Sequence, residues 1–344
     1  MSQLCTRTLT RSRQTGTPAA SAAVAPVMTD SPRTPLGASD LSVFPLALGG
    51  NVFGWNADRN ASYAVLDAYA AAGGNFLDTA DSYSAWAPGN EGGESERIIG
   101  GWLAARGNRD DIVVATKIGA HPKFRGLKAD TVTAAAEESL LRLGTDRIDL
   151  LYTHFDDEST PVEEIMTALD ALVRAGKVRR IGASNISPAR LRASMEFAAA
   201  EGLAGYVALQ PHYNLVSRET YEGEPAAVAA EFGLSCVPYY ALASGFLTGK
   251  YRPGGPAVDS VRAGGAAKLL ASERGQRVLA ALDAVASARG VAHATVALAW
   301  LAAQPTVAAP IASARTVEQL ADLVAFPSLT LTAPELDALT AASA

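Results

Sequence analysis

Short apolar runs alternate with longer amphipathic segments along most of the chain. The apolar runs carry few polar residues, which is typical of parallel strands that are buried on both faces. Turn-forming residues, mostly Gly, Pro, Asn and Ser, separate the two kinds of segment. This pattern predicts strands at residues 46–49, 75–77, 112–116, 148–153, 178–183, 206–209, 235–239 and 307–311.

Helices are predicted between these strands, because the amphipathic segments start at capping residues or proline and several of them end at glycine. Asn60 is the predicted cap of the first helix. A segment rich in Gly and Pro, residues 244–263, is long enough to form a lid or a binding loop. The predicted helices are residues 60–72, 95–106, 129–143, 161–175, 188–201, 225–232, 266–289, 295–303, 316–325 and 334–342.

Eight alternations of strand and helix predict an α/β fold with a parallel sheet. At this chain length they favour a closed (β/α)8 TIM barrel in a single domain over an open sheet. The alternative is a doubly wound nucleotide-binding fold. That fold requires the glycine pattern G-x-G-x-x-G after its first strand, and the glycines of residues 49–54 have the wrong spacing.

The first 27 residues differ in composition from the rest, being rich in Ala, Thr, Ser and Arg, and Asp30 is the first acidic residue. Transit peptides share this composition, but the segment lacks the long apolar core of a secretory signal. We expect residues 1–27 to be a disordered leader or the product of an upstream start codon, with the natural start at Met28. The barrel domain would then occupy residues 28–344.

Composition excludes several classes of protein. The 344 residues are 49% hydrophobic and carry a net charge of −6, so they show no basic footprint for a nucleic-acid partner. The two cysteines, Cys5 and Cys236, lie too far apart in the sequence to suggest a disulfide framework or a zinc motif, and they suit the cytoplasm. No apolar run approaches the roughly 18 residues of a membrane helix, so no membrane partner is expected.

Four candidate catalytic residues follow predicted strands. They are Asp78 and Tyr83 after the second strand, Lys117 after the third and His154 after the fourth. A free phenol has a pKa of about 10, and a neighbouring ammonium should lower it by stabilising the phenolate. A carboxylate would hold that lysine charged, and an imidazole would bind the reacting oxygen. Each residue alone is compatible with a turn or packing role, but together they indicate proton donation to a developing alkoxide.

Seven segments, in this order and spacing, resemble the aldo-keto reductases over roughly residues 34–342. The branch that is most similar includes bacterial reductases and the potassium-channel β-subunits. The segments are Phe76-Leu-Asp-Thr-Ala-Asp-Ser-Tyr83, Ala115-Thr-Lys117, Asp149-Leu-Leu-Tyr-Thr-His154, Gly176-Lys-Val-Arg-Arg-Ile-Gly-Ala-Ser-Asn185, Leu209-Gln-Pro-His-Tyr-Asn214, Gly245-Phe-Leu-Thr-Gly-Lys250 and Ile311-Ala-Ser-Ala-Arg315.

The resemblance implies a (β/α)8 barrel that binds NADPH without a Rossmann motif and reduces an aldehyde or a ketone to an alcohol. By the same resemblance, Tyr83 would be the acid–base residue, with Lys117 and Asp78 as its tuning pair and His154 at the substrate carbonyl. Hydride would pass from nicotinamide C4 to the carbonyl carbon while Tyr83 protonates the oxygen.

The resemblance also assigns cofactor contacts. The nicotinamide carboxamide would be bound by Ser184, Asn185 and Gln210, and the nicotinamide ring would stack on Tyr239. Ser187 is a candidate helix cap next to this group. Arg315 precedes the predicted helix at 316–325, and it favours NADPH because a guanidinium is suited to bind the 2′-phosphate. The pyrophosphate contacts would be Leu242, Ser244, Gly245 and Leu247, and Lys250 would add positive charge there, with a solvated surface position as its alternative. The adenosine-phosphate contacts would be Ser313, Arg315, Gln319 and Asp322.

Two features depart from the family pattern. Leu323 stands where the family often has Asn, which affects the adenine contact. Next to Tyr83, many relatives have small, Gly-rich sequence, whereas this chain has Trp86. Together with Trp55 and Phe124, it is a candidate aromatic wall over the substrate, with loop packing as the alternative.

The leading hypothesis is therefore an NADPH-dependent carbonyl reductase acting on a small-molecule substrate. The alternatives are a sugar or deoxysugar dehydrogenase or reductase of the same fold, and a regulatory subunit whose bound cofactor reports redox state. A metal-dependent barrel hydrolase is disfavoured, because His121, His154, His212 and His293 show no metal-ligand pairing in the sequence, and no metal is predicted.

Overall fold

The computed structural model describes residues 32–255 and 263–344, so the predicted leader and part of the predicted loop at 244–263 lie outside the described residues. In chain order the strands are β1 Thr34–Pro35, β2 Ser42–Val43, β3 Ala47–Gly49, β4 Phe76–Asp78, β5 Val113–Ile118, β6 Ala120–His121, β7 Phe124–Arg125, β8 Ile148–Thr153, β9 Val178–Ser184, β10 Tyr206–Gln210, β11 Ser235–Cys236 and β12 Ile311–Ala312.

Helices occupy most of the connections between the strands. They are α1 Arg59–Ala71, α2 Glu94–Arg106, α3 Ala129–Leu143, α4 Val162–Arg174, α5 Pro188–Glu201, α6 Glu224–Glu231, α7 Ala263–Ala271, α8 Glu273–Arg289, α9 His293–Ala302, α10 Val317–Val324 and α11 Ala333–Ala342. Short 3-10 helices lie at Arg109–Asp111, Ala243–Thr248 and Phe326–Ser328.

Eight strands form one parallel sheet in the order β11-β10-β9-β8-β5-β4-β3-β12, which confirms the predicted α/β fold with a parallel sheet. All residues of β5 and β8 are buried. Alternate strand residues face opposite sides. On one face of the sheet, a smaller apolar cluster includes Phe76, Ala115 and Leu150. On the other face, Leu77 and Leu151 join the larger core beneath the helices. The continuous apolar runs in the sequence reflect this burial on both faces.

The two edge strands of the sheet are linked through residues 306–311. The backbone N–H of Cys236 donates to the carbonyl of Thr306 at 2.8 Å, and the N–H of Ala308 donates back to Cys236 at 2.9 Å. The N–H of Ile311 then donates to the carbonyl of Pro238 at 2.9 Å. These bonds connect the end of β11 to the start of β12.

Several predicted boundaries are wrong for identifiable reasons. Helix α1 begins at Arg59, because Asp58 and not Asn60 accepts the capping bond from the N–H of Ala61. The helix predicted at 266–289 is two helices, because Ser272 caps α8 by accepting from the N–H of Gly275. The last strand is β12, later than the predicted 307–311, where Val307 forms only an isolated bridge.

Two antiparallel hairpins were not predicted. Strands β1 and β2 pair with each other. Three apolar residues of this hairpin, Leu36, Leu41 and Val43, join the smaller apolar cluster on the face of the sheet that includes Phe76. The second hairpin, β6 with β7, follows β5 directly. Strands of two residues are too short to show the alternation on which strand prediction depends.

No single described helix is long and apolar enough to cross a membrane. Helices α8 and α9 satisfy the length and composition criteria only as a pair, and they are bent by 102° relative to each other.

Candidate active site

A cavity of about 890 Å³ lies at the carboxyl edge of the sheet. Its wall includes Gly49, Asp78, Ser184 and Gln210, which are the last residues of β3, β4, β9 and β10. Because all eight strands are parallel, their carboxyl ends meet at one edge, where ligands bind in folds of this kind. The fold thus brings the residues that the sequence places after different strands into a single cavity.

Lys117 is the centre of the candidate catalytic group. It lies within β5, one residue before the strand ends, and its side chain is buried. Its Nζ donates to Asp78 Oδ2 at 2.7 Å, to the carbonyl of Thr79 at 2.8 Å and to Tyr83 Oη at 2.9 Å. All three protons of the ammonium are therefore used, which offsets the cost of burying the charge.

Asp78 and His154 are held by further contacts. Gln210 Nε2 donates to the second carboxylate oxygen of Asp78 at 2.9 Å. His154 lies just after β8, where Ser82 Oγ is 3.5 Å from its Nδ1. Its ring is 6.0 Å from the ring of Tyr83, measured between centroids. The four predicted catalytic residues thus form one contiguous group.

Burial raises the pKa of Tyr83 to about 12, although the charge of Lys117 acts to lower it and that of Asp78 raises it further. The expected lowering by the lysine is confirmed for its own contribution, but desolvation of the phenolate outweighs this attraction, so the net shift of the pKa is upward. Burial opposes the charge on Lys117, but Asp78 and Tyr83 raise its pKa above the usual value. At neutral pH the group holds a neutral phenol beside an ammonium.

His154 is neutral at physiological pH. Burial lowers its pKa to about 3, and the nearby charge of Lys117 lowers it in the same direction. A neutral imidazole carries one N–H donor and one acceptor. It is therefore able to hydrogen-bond a carbonyl oxygen without competing with Tyr83 as the proton source.

The residues assigned to the nicotinamide brace one another beside this group. Asn185 Nδ2 donates to the carbonyl of His154 at 2.9 Å and to Ser184 Oγ at 3.0 Å. The hydroxyl of Tyr239 donates to Asn185 Oδ1 at 2.8 Å. Ser187 caps α5, as predicted. This network fixes the orientation of the Ser184 and Asn185 side chains on the cavity wall.

The segment assigned to the pyrophosphate is the 3-10 helix Ala243–Thr248 with its flanks. Leu242, Ser244, Gly245 and Lys250 line the cavity. Ser244 and Gly245 are consecutive residues with positive φ, at 56° and 90°, and the N–H of Gly245 donates to the carbonyl of Leu242 at 2.8 Å. Leu247 lies elsewhere: its side chain is in the core, and its N–H donates to the carbonyl of Leu242.

Ser313, Arg315, Gln319 and Asp322 all line the far end of the cavity. Gln319 Oε1 accepts from the backbone N–H of Arg315 at 3.0 Å, and Thr316 caps α10. Leu323 also reaches this wall, although its side chain is almost fully buried. The Leu323 position therefore presents an apolar surface.

Strained backbone is concentrated around the cavity. Among the described residues, six that are not glycine have a positive φ, and Asn185, Tyr240 and Ser244 of this set line the cavity. Two more, Ser84 and Ala243, are adjacent to lining residues. Such conformations cost on the order of 1–3 kcal/mol each and tend to cluster at functional sites.

The structure adds residues to the site that sequence reasoning missed. Asn51, Ser82, Phe155 and Tyr240 line the cavity. Ser82, Phe155 and Tyr240 are each adjacent in sequence to an assigned residue, and Asn51 lies two positions past the end of β3, so their places in the sequence are the signal that identifies them. Trp55 and Trp86 line the cavity, whereas Phe124 packs against His121 and is not part of the cavity wall.

Asp81 is a buried carboxylate two residues before the candidate acid. Neither of its carboxylate oxygens has a hydrogen-bond partner among the described residues. Burial raises the pKa of Asp81 to about 7, and the Glu96 carboxylate raises it further, while Arg142 and nearby backbone amides lower it. His121, whose pKa is lowered by burial and by Arg142, lies in the same region. Asp81 is therefore protonated in part at neutral pH.

We expect Asp81→Asn to be more stable than the wild type at pH 8 and to lose this advantage in acid. The folded-state pKa lies above the unfolded value of 3.8, so the wild type loses unfolding free energy as pH rises from about 4 to 7. The variant has no carboxyl group to ionise at this position, so it does not lose this free energy. Its unfolding free energy relative to the wild type should therefore grow by about 2–3 kcal/mol between pH 5 and pH 8. Urea unfolding at both pH values measures this difference. The exposed Asp337→Asn is the control, and a similar pH dependence in both variants would contradict the expectation.

Among the described residues, no group of three or more His, Cys, Asp or Glu side chains is placed to hold a metal ion. The thiol of Cys236 is buried in the core and does not line the cavity.

A family model described as the Aldo/keto reductase family matches residues 45–344. Norsolorinic acid reductase stcV of Emericella nidulans is 34% identical over 298 residues, which cover 81% of this chain and 73% of that protein. The uncharacterized oxidoreductase YrpG of Bacillus subtilis is 35% identical over 300 residues, covering 85% and 89%. A probable voltage-gated potassium channel subunit beta of Oryza sativa subsp. japonica is 34% identical over 311 residues, covering 88% and 93%.

Proposed function

Because the chain belongs to the aldo/keto reductase family of oxidoreductases, we propose that it reduces an aldehyde or a ketone to an alcohol with NADPH. One observation carries the proposal: Lys117 Nζ bonds both Asp78 and Tyr83 at the wall of the large cavity. An ammonium that contacts a neutral phenol and a buried carboxylate is suited to stabilise a phenolate as it forms. This is the requirement for a phenol that acts as a general acid.

The scaffold for this reaction would be a closed (β/α)8 barrel within a single domain of residues 28–344. Closure is supported by the backbone bonds that Cys236 and Pro238 make with residues 306–311, between the two edge strands. The alternation of strands with helices over the matched length also supports it.

The cavity wall fits an extended dinucleotide. At one end Asn185 and Tyr239 form a braced polar surface beside the catalytic group. Gly245 and its neighbours expose backbone in the middle, where a Cβ on Gly245 would meet the Lys250 side chain at 3.3 Å. At the other end Arg315 lies before the N-terminus of α10 and lines the cavity. The bound cofactor would supply a hydride to the carbonyl carbon of the substrate.

The residues of the chain would supply the proton and hold the carbonyl. Tyr83 donates its hydroxyl proton to the carbonyl oxygen as negative charge develops there. Lys117 stabilises the resulting phenolate through its bond to Tyr83 Oη, and Asp78 keeps that ammonium charged and oriented. The neutral His154 directs the same oxygen toward Tyr83 by hydrogen bonding. These groups are fixed before the reaction, which reduces the cost of reorganisation in the transition state.

We expect Arg315→Ala to weaken NADPH binding about 10- to 100-fold and NADH binding less than about threefold, because a charge-assisted bond to the 2′-phosphate is worth about 1.5–3 kcal/mol. Titration of intrinsic fluorescence with each cofactor measures both constants. The exposed Arg277→Ala, outside the cavity wall, controls for loss of general positive charge. Equal losses for the two cofactors would show that Arg315 does not read the 2′-phosphate.

The direct test of the proposed function is oxidation of NADPH by the purified full chain with a reactive aldehyde, followed by loss of reduced-nicotinamide absorbance. We expect turnover that requires both the aldehyde and the protein, and a lower rate with NADH. Absence of NADPH binding would overturn the cofactor assignment.

The similarity to probable potassium-channel β-subunits favours a second candidate, a subunit whose bound NADPH reports redox state. Tight NADPH binding without oxidation by any carbonyl would support this candidate. For either function we place the protein in the cytoplasm, on the basis of its unpaired, buried Cys236.

A further inference from the structure

The exposed aromatic side chains of the described residues all lie at one place. Trp86, Phe155 and Tyr240 are 51%, 53% and 49% exposed, and every other aromatic side chain in the described ranges is more buried. All three line the cavity that contains the candidate catalytic group. Large exposed apolar side chains are ordinarily scattered, so their collection at one cavity mouth marks a binding surface.

These aromatic side chains surround the reacting groups from three separate connections, after β4, β8 and β11. The ring of Trp86 is edge-on to Tyr83 at 6.0 Å and to Trp55 at 5.5 Å. Phe155 stacks on His154 with ring centroids 4.8 Å apart and an interplanar angle of 12°. We call Trp55, Trp86, Phe155 and Tyr240 the aromatic rim.

Tyr240 is held in the rim against a backbone cost. Its φ of 56° lies in the left-handed region, which costs a bulky residue about 1–2 kcal/mol. The conformation is fixed because the carbonyl of Tyr240 accepts from the N–H of Ala243 at 2.7 Å and from Asn214 Nδ2 at 3.0 Å. Its ring packs edge-on against Tyr239 and His212. The fold therefore presents this half-exposed ring in a fixed orientation.

The rim carries no charge of its own. Among the described lining residues outside the catalytic group, the charged side chains are Lys250, Arg315 and Asp322, which belong to the segments assigned to the cofactor phosphates and adenosine. The polar neighbours of the rim on the cavity wall, Asn56 and Ser82, are neutral. A substrate carboxylate or phosphate would thus find no counter-charge at the rim, and burying it there would be costly.

We propose that the substrate is an uncharged, planar aromatic aldehyde or ketone whose ring system is bound by the aromatic rim while its carbonyl faces Tyr83 and His154. The inference rests on the proposed function: hydride and a proton add across the C=O bond, the alcohol forms and NADPH becomes NADP+. Rings that meet edge-to-face or in offset stacks gain about 0.5–1.5 kcal/mol per pair beyond the area buried. Rigid aromatic walls supply this gain to a flat ring and not to a saturated one.

The first arm of the test measures kcat/KM of the wild type for 2-naphthaldehyde and for cyclohexanecarboxaldehyde. The aromatic preference is the first value divided by the second, and this ratio is then measured in Trp86→Leu, Phe155→Leu and Tyr240→Leu. Each substitution removes a ring and retains an apolar side chain. We expect the ratio to fall about five- to tenfold in each, mainly through KM for the aromatic aldehyde. Trp86→Phe and Tyr240→Phe should restore most of it, and Leu141→Ala, an exposed apolar residue outside the cavity, should leave the ratio unchanged.

The second arm compares 4-formylbenzoate with its methyl ester, which share the ring and the position of the substituent and differ in charge. We expect KM to be at least tenfold higher for the charged compound. The aromatic inference is overturned if the leucine variants keep the wild-type ratio, or if the charged compound binds as well as the ester. In either case, continued NADPH oxidation leaves the proposed function standing. If the wild type oxidises NADPH with none of these aldehydes, both are overturned.

Discussion

Tyr83→Phe is expected to lower kcat for carbonyl reduction by about 10³-fold, within the range that a positioned general acid contributes. The variant removes one hydroxyl, and with it the proton that the developing alkoxide requires. Because burial raises the pKa of Tyr83 to about 12, the wild-type phenol stays protonated up to pH 9 and beyond. The loss should therefore be the same throughout an assay range of pH 6–9.

The structure predicts that this variant folds and binds NADPH almost normally. Lys117 Nζ keeps Asp78 Oδ2 and the carbonyl of Thr79 as acceptors after the hydroxyl is removed. We expect its NADPH dissociation constant to change less than about threefold, since no cofactor contact is assigned to the hydroxyl. Single-turnover kinetics separate the chemical step from binding. Tyr63→Phe is a matched control, since Tyr63 lies on α1 outside the cavity wall. Substantial turnover in Tyr83→Phe would show that Tyr83 is not the proton donor.

Lys117→Met is expected to abolish reduction. It should also destabilise the protein by about 3–5 kcal/mol, because removing the ammonium leaves the buried charge of Asp78 uncompensated. Asp78 is almost fully buried, and its remaining side-chain hydrogen bond is from the neutral amide of Gln210. The phenol also loses the ammonium that opposes the rise in its pKa. Chemical denaturation and kcat measured on the same preparation report the two effects.

The double variant Lys117→Met with Asp78→Asn separates these two roles. Neutralising the carboxylate removes the unpaired charge, so we expect at least half of the lost unfolding free energy to return. Turnover should not return, because nothing then stabilises the phenolate form of Tyr83. A stable single variant would contradict the energetic argument, and an active double variant would contradict the catalytic role of Lys117.

Much of the site was predictable because residues after parallel strands share one edge of a sheet. Asp78, Lys117 and His154 are separated by 37 or more positions in sequence, yet each lies at or beside the end of a buried strand, and the structure joins them through Tyr83 and Ser82. The strands themselves were recognisable from continuous apolar runs. For the same reason the short hairpins β1–β2 and β6–β7, which contain no such run, were missed.

Other features depend on distances that no local pattern encodes. Leu247 belongs to the same glycine-containing turn as the residues that line the cavity, but its side chain is in the core and its N–H donates to the carbonyl of Leu242. The net pKa of Tyr83 depends on the balance between burial and one lysine, and the sequence shows only the lysine. The break between α7 and α8 depends on one serine that caps where the apolar pattern alone predicts a continuous helix.

The sequence alone therefore determined the class of fold, the family and the set of chemical groups available, because hydrophobic period and residue order specify which strands form and which residues stand at their ends. The tertiary structure decided how those groups act. It showed that Lys117 is shared between Asp78 and Tyr83, that His154 is neutral, and that Trp86, Phe155 and Tyr240 stand half exposed at one cavity mouth. Burial, charge balance and exposure are sums over neighbours distant in the chain, and only the folded arrangement brings those neighbours together.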